Sequence, residues 1–199
     1  MGDRQASRPK RPVGAKLVRL GGVETVLEGA ADDPYFQSIE QHALGLDGLA
    51  ALVASQVPRA STVVDVGANI GLSAILLARS VERVIAFEPS PTNVDYLRRN
   101  LASNGITNVE VLAAAVSDRP STLQFHVAQF GAGSHVVAAG HVLNGSIATI
   151  DVPAVTLDEA LTVSVSFIKI DAEGHEPDVL AGAPAVLARD KPLIYTPTL

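Results

Sequence analysis

A doubly wound α/β sheet follows from three stretches of this chain. The first is Ser61 to Ala74, STVVDVGANIGLSA, which reads as a buried strand over Thr62–Val66, a glycine turn and the start of an apolar helix. Its Val/Asp/Val run does not alternate, as expected of a parallel strand covered on both faces. The second is Val84–Phe87 (VIAF), another buried strand, which ends on Glu88 in FEPSP, 17 residues after Gly71. The third is Val165–Ile170 (VSFIKI), which runs into Asp171-Ala-Glu-Gly-His-Glu176. Strand, glycine loop, helix, strand and acid, in that order, make a nucleoside-binding half-fold.

Composition sets the class. The 199 residues are 47% hydrophobic and 18% charged, which is one globular domain. There is no cysteine, so disulfides, thiolate zinc sites and a cysteine nucleophile are excluded, and a cytoplasmic setting fits. Six of the 15 Lys and Arg lie in the first 19 residues, against the single acid Asp3. The rest of the chain carries 9 basic and 20 acidic residues. A body that acidic is a poor surface for nucleic acid. No apolar run is long enough to span a membrane. Residues 1–16 are expected to be a disordered basic tail without a signal-type apolar segment. Residues 17–60 are expected to form a strand and helical cap, and 61–199 the ligand-binding domain.

In chain order, Leu17–Leu27 suggests a strand and turn. Asp32-Asp33-Pro34 starts a helix with Pro34 at its first position. Tyr35, Phe36 and Ile39 share a face of it, with core packing favoured over contact with a ligand. Leu44–Val57 reads as a second helix, ended by Pro58. In the glycine loop, Gly67 and Gly71 bracket Ala68, Asn69 and Ile70. A tight turn there lets a ligand approach without meeting a Cβ, and free amides at the helix start would point at it. Asp65 at the pocket mouth suits a cationic or amine-bearing ligand better than a pyrophosphate. That tilts the reading from a dinucleotide toward S-adenosylmethionine. Glu88, at the tip of the second strand, can accept hydrogen bonds from two ribose hydroxyls.

Ser90 then caps a helix with Pro91 in its first turn, closed by Asn104-Gly105 and buried along Val94, Leu97 and Leu101. Val109–Val116 is the third strand. Ser121–Val127 and Ile147–Val155 alternate enough to be strands. The Gly-, Ala- and Ser-rich segment between them, Val127–Ser146, is expected to be an irregular loop of the kind that carries specificity. His126, His135 and His141 lack metal-ligand spacing, and no metal is expected. Thr156 to Glu159 is a capping box.

In a doubly wound sheet the strand ending at Ile170 lies beside the first strand, where strand order reverses. Asp171 therefore falls beside the Gly67–Gly71 loop. Asp171, Glu173 and His175 are spaced i, i+2, i+4, so an extended stretch would put them on one face, and Gly174 permits a turn. His175 or Asp171 is the candidate base for a hydroxyl acceptor, with Glu173 orienting it; a divalent cation on these groups is the minority reading. Glu176 and Asp178 suit helix capping. Lys169 either snorkels or pairs with an acid. A helix over Val179–Arg189 and a fifth strand over Pro192–Tyr195, an apolar edge, follow.

VVDVGANIGLSA, FEPSP and KIDAEGHEPDVLAGA (Lys169–Ala183) together resemble the FkbM-type family of S-adenosylmethionine-dependent methyltransferases, from about Gly48 to Tyr195. The third motif is the most specific of them. The resemblance implies the Rossmann-like sheet of class I methyltransferases and O-methylation of a small molecule, sugar or natural product. It implies cofactor contacts from Asp65, Gly67, Ala68, Asn69, Gly71 and Glu88, and adenine contacts from Ala115, Ser117 or Asp118. Such sheets usually continue into a terminal strand hairpin, and the family tends to carry a glutamate where this chain has Thr196-Pro197. A C-terminally short sheet is therefore expected, with self-association through its exposed edge. Two rivals stand beside this reading. An NAD-type oxidoreductase is opposed by GANIG, which is not G-x-G-x-x-G, and by the lack of a Tyr-x-x-x-Lys pair. A non-catalytic nucleoside-binding partner protein would hold the donor without turnover.

Overall fold

A computed structural model describes residues 12–128, 135–136 and 146–196. The basic tail expected over residues 1–16 lies outside the described residues as far as residue 11. So do 129–134 and 137–145 of the expected loop, and Pro197 at the end.

The chain opens with a hairpin, β1 (Val13–Leu20) and β2 (Val23–Ala30), so strand structure begins inside the segment expected to be a tail. Gly21 and Gly22, with φ of 56° and 82°, make the two-residue turn that matches strand twist. Three short helices follow: α1 (Pro34–Gln37), α2 (Ile39–Gly45) and α3 (Asp47–Gln56). The single helix expected over Leu44–Val57 is thus broken. At Leu46 the amide turns back to the Ala43 carbonyl (3.2 Å), next to Gly45, a residue that weakens helix interiors.

The central sheet is built from β3 (Thr62–Val66), α4 (Leu72–Ala78), β4 (Arg83–Phe87), α5 (Pro91–Ser103) and β5 (Val109–Leu112). The expected third strand ends early. Leu112 gives its carbonyl to Glu88 and Ala114, and the chain leaves as β6 (Ala115–Val116) for a second sheet. There β6 lies parallel to β9 (Ser146–Val155), which pairs antiparallel with β7 (Ser121–Ala128), itself edged by β8 (His135–Val136). The chain returns through α6 (Leu157–Ala160) to β10 (Phe167–Ile170), then α7 (Glu176–Ala181), α8 (Pro184–Asp190) and β11 (Leu193–Tyr195). The helix expected over Val179–Arg189 breaks at Gly182, where a Cβ would lie 2.0 Å from the Ser117 carbonyl oxygen. Pro184 then starts α8, whose first amides, on Ala185 and Val186, are taken by the Asp158 carboxylate.

The strand order is β11-β10-β3-β4-β5, all parallel. Order reverses between β3 and β10, as a doubly wound sheet requires. Val66 pairs with Phe87 and with Ile170, so Gly67, Glu88 and Asp171 leave the sheet at one level. Alternation splits the core in two. Val63, Val84, Ala86 and Phe167 pack with the hairpin and α2 to α5, whereas Val64, Ile85, Phe87 and Ile168 pack with α6 to α8. Leu193 and Ile194 of the edge strand are exposed. Among the described residues no helix is long and apolar enough to cross a membrane.

Candidate active site

Where β3, β4 and β10 end, a cavity of about 270 Å³ opens. Its walls include Gly67 to Asn69, Glu88, Asp171 to Glu173 and His175. That volume is near the lower end of small-molecule sites, roughly 300–1,000 Å³.

The glycine loop is closed by the protein itself. Gly67 has φ 77°, and a Cβ there would stand 2.0 Å from the Asp171 carbonyl oxygen. The neighbouring strand end requires glycine at this position, before any ligand does. The amides of Gly67 and Ala68 both bond to the Phe87 carbonyl at 3.0 Å, Asn69 N donates to Glu88 Oε2 at 2.8 Å, and Gly71 N donates to Ala68 O at 2.9 Å. The expectation of free amides aimed at a ligand is corrected on these four. Three of them hold the loop to the end of β4, and the Gly71 amide closes the loop on itself.

Glu88 is 4% exposed. Besides Asn69 N it accepts from Ser90 N (2.9 Å) and Asn93 Nδ2 (3.3 Å), both on Oε1. Burial pushes its carboxyl up to about 7, against the lowering effect of the Ser90 and Asn69 amides. Oε2 holds one protein donor and keeps acceptor capacity toward the cavity. Close by, Asn69 Oδ1 is buried without any hydrogen-bond partner, an acceptor that a bound donor group would satisfy.

Asp65 was expected at the pocket mouth. It lies beneath the cavity instead, fully buried, with Oδ2 accepting from Ser73 Oγ (2.6 Å) and Oδ1 from Lys169 Nζ (3.1 Å). Of the two readings open for Lys169, pairing is the one observed. Its Nζ also reaches Asp171 Oδ2 (3.5 Å) and the Gly67 carbonyl (3.5 Å). Burial works against its charge, but Asp65 and Asp171 outweigh burial and hold its pKa above the ordinary value. This ammonium therefore ties together both loops of the switch point.

The stretch after β10 is a turn rather than the extended face expected. Glu173 and Gly174 have φ of 52° and 95°, and His175 N returns to Ala172 O (3.2 Å). Asp171, Glu173 and His175 line the same cavity nonetheless. Glu176, 6% exposed, accepts from Ala172 N (2.9 Å) and Gly174 N (3.0 Å), so it closes the turn. Asp178 Oδ2 sits 3.1 Å from His175 Nδ1, and His175 Nε2 sits 3.0 Å from Ser117 Oγ. Both ring nitrogens are therefore occupied. On this turn that leaves Asp171 and Glu173 as the carboxylates lining the cavity, with Glu88 across from them on the β4 side.

Ala115 lines the cavity, whereas Ser117 and Asp118 do not; Ser117 is buried behind it, 3.2 Å from Asp118 Oδ1. Tyr35 and Phe36 divide. Phe36 is core at 3% exposure, and Tyr35 is a cavity wall. His42, Leu46 and Asn93 also line it, and sequence reasoning missed them. Asn93, one turn past FEPSP, was within reach of that motif, but His42 carried no signal. Among the described residues no cluster of His, Asp and Glu is arranged to hold a metal ion.

A family model described as the methyltransferase FkbM domain matches residues 65–197. Methyltransferase sdnD of Sordaria araneosa is 38% identical over 72 residues, covering 35% of this chain and 28% of that protein. The release factor glutamine methyltransferase of Mycolicibacterium smegmatis is 46% identical over 67 residues, covering 33% of this chain and 23% of that one. The solved methyltransferase FkbM from Methylobacillus flagellatus superposes with a TM-score of 0.50 at 23% identity, covering 69% of this chain and 32% of its own. A T. thermophilus 16S rRNA methyltransferase, solved with AdoMet and guanosine, gives 0.52 at 19% identity, covering 94% and 40%. The matches span less than a third of the length of the two curated relatives.

Proposed function

Since the chain belongs to the methyltransferase FkbM domain family, we propose that it binds S-adenosylmethionine in this cavity and methylates a hydroxyl oxygen of a small molecule, sugar or natural product. Its fold is the Rossmann-like doubly wound sheet of class I methyltransferases. The observation that carries the proposal is the state of the glycine loop. A pyrophosphate needs free amides and a positive field, whereas four amides here are internally bonded and Asp171 and Glu173 line the walls. That environment favours a nucleoside carrying positive charge over a pyrophosphate.

Glu88 Oε2 would accept ribose hydroxyls, and Asn69 Oδ1, now without a partner, would accept an N–H or O–H of the same ligand. Ala115 would flank the base. Asp65 would act through Lys169 rather than by contact. When bound, the cofactor supplies a methyl carbon activated by a positively charged sulfur. The chain's own residues align the acceptor and take its proton: Asp171 is the base, Glu173 orients the hydroxyl. His175, held between Asp178 and Ser117, positions the turn that carries them.

Calorimetric titration with S-adenosylhomocysteine, with NAD as the control, tests this. Micromolar binding of the first alone is expected. Binding of NAD instead, or of neither by a folded monodisperse sample, would remove the donor-site reading.

A further inference from the structure

The hairpin and the short helices after it lie outside residues 65–197, yet the helical segment forms part of the cavity wall. Tyr35, His42 and Leu46 line it together with Asp171 and Glu173. Their placement is built into the hairpin. Gly14 and Gly29 pair directly across its strands. A Cβ at Gly29 would lie 2.4 Å from Phe36 Cδ2, and one at Gly14 2.8 Å from Phe36 Cε1. The two glycines therefore make a notch filled by the Phe36 ring. Lys16 of β1 reinforces the seat: its Nζ lies 5.8 Å from the centre of that ring, 3.0 Å from Glu40 Oε2, and bonds the Gln37 carbonyl. Asp33 Oδ1 takes the Tyr35 amide (2.9 Å), and Pro34 presets the first turn. With Phe36 seated on the hairpin, Tyr35 is left to the cavity.

The rings of Tyr35 and His42 stand 4.4 Å apart, tilted by 34°. Burial first, then the charges of Asp171, Asp65, Asp33 and Glu88, push the Tyr35 phenol well above its ordinary value, so it stays a neutral O–H donor. The wall thus supplies an aromatic pair and one neutral donor, and the turn after β10 supplies two carboxylates that only accept. An anion would be repelled by this set. A wholly apolar ligand would strip water from the carboxylates and return no hydrogen bond. A saturated ring bearing hydroxyls matches it, with a C–H face for the aromatic pair and O–H donors for the acids.

We infer that the N-terminal hairpin unit is the acceptor wall of this site and that Tyr35 and His42 are its platform for a pyranose-type ring. The inference rests on reading the cavity as a methyl-donor site.

The test is saturation-transfer difference NMR on the full chain saturated with S-adenosylhomocysteine, using methyl β-D-glucopyranoside and methyl α-D-mannopyranoside as probes. Transfer to the ring protons of at least one glycoside is expected. It should weaken about fivefold in Tyr35→Ala and in His42→Ala, the scale of one lost aromatic contact, and persist in Tyr35→Phe. Gly29→Ala should weaken it too, since the added Cβ displaces Phe36 without entering the cavity. Affinity for S-adenosylhomocysteine should stay unchanged throughout. His42, an exposed side chain, keeps the test readable if Tyr35→Ala fails to fold. Absence of transfer to both glycosides in the loaded chain overturns the inference, as does equal transfer in all four variants. Loss of S-adenosylhomocysteine affinity in Tyr35→Ala also overturns it, because Tyr35 then belongs to the donor's wall. Failure of the unsubstituted chain to bind S-adenosylhomocysteine sinks the donor reading instead, and transfer to the ligand-free chain then decides the wall separately.

Discussion

Two loops meet at the switch point, and they are built alike. Each follows a parallel strand, each places a non-glycine residue at positive φ (Asn69 at 51°, Glu173 at 52°), and each is clasped by a buried glutamate. Glu88 takes the amides of Asn69 and Ser90; Glu176 takes those of Ala172 and Gly174. They differ in where the clasp comes from. Glu88 arrives from the next strand, 19 residues away from Asn69, and lines the cavity. Glu176 comes from the same turn and does not line it. The first clasp is therefore part of the binding surface, while the second holds its turn from behind and leaves Asp171 and Glu173 open to chemistry. A carboxylate in the same bonding role can serve the ligand or only the backbone, depending on which side of the loop it reaches.

Lys169 is the contact common to both loops, and its removal should have the largest effect. Lys169→Met leaves Asp65 buried beside no cation, which costs roughly 3–5 kcal/mol of stability. Adding Asp65→Asn should recover most of that in urea unfolding; no recovery would mean the ion pair is not what links the loops. Next in size is Gly67→Ala. Positive φ and the 2.0 Å approach to Asp171 O together predict a loss of about 2–4 kcal/mol. Gly174→Ala, at φ 95° with nothing within 4 Å, should cost only about 1 kcal/mol. Equal losses at the two glycines would break the distinction between the loops.

Glu88→Gln should weaken S-adenosylhomocysteine binding by about 1–3 kcal/mol, because an amide cannot accept on both sides. Glu176→Gln should lower stability and leave that affinity as it was. If both weaken binding alike, the two clasps are not different in kind. The last effect expected is in pH. With its folded-state carboxyl raised from 4.5 to about 7, Glu88 favours the fold while protonated, and that contribution is lost as pH rises through about 7. Ribose hydroxyls need the ionised carboxylate, so affinity should increase across the same window and level off above it. Calorimetry in buffers on both sides of that midpoint, with Glu88→Gln as the flat control, reads it out.

Much of this was legible in the residues. β3, β4 and β10 were visible as apolar runs because parallel strands are buried on both faces. The α5 boundaries were visible because Ser90, Pro91 and Asn104-Gly105 act within a turn of themselves. The segments that broke were those whose ends are decided at a distance. The strand ending at Leu112 stops because Ala115 and Val116 leave to pair with Ala154 and Val155 of the second sheet, and the helix before Pro184 breaks at Gly182, where the Ser117 carbonyl approaches so closely that a Cβ would not fit.

The candidate site divides along the same line. Sequence alone determined that Gly67, Glu88 and Asp171 share one edge, since strand order at a switch point follows from the right-handed crossovers of βαβ units. Only the tertiary structure decided what each does there. It turned Asp65 inward to Lys169, engaged the loop amides, occupied both nitrogens of His175, and brought Tyr35 and His42 in from a hairpin unit with no motif. Motifs record which residues follow a strand. Hydrogen-bond partners and cavity walls depend on distances between segments far apart in the chain, and those distances are set by packing.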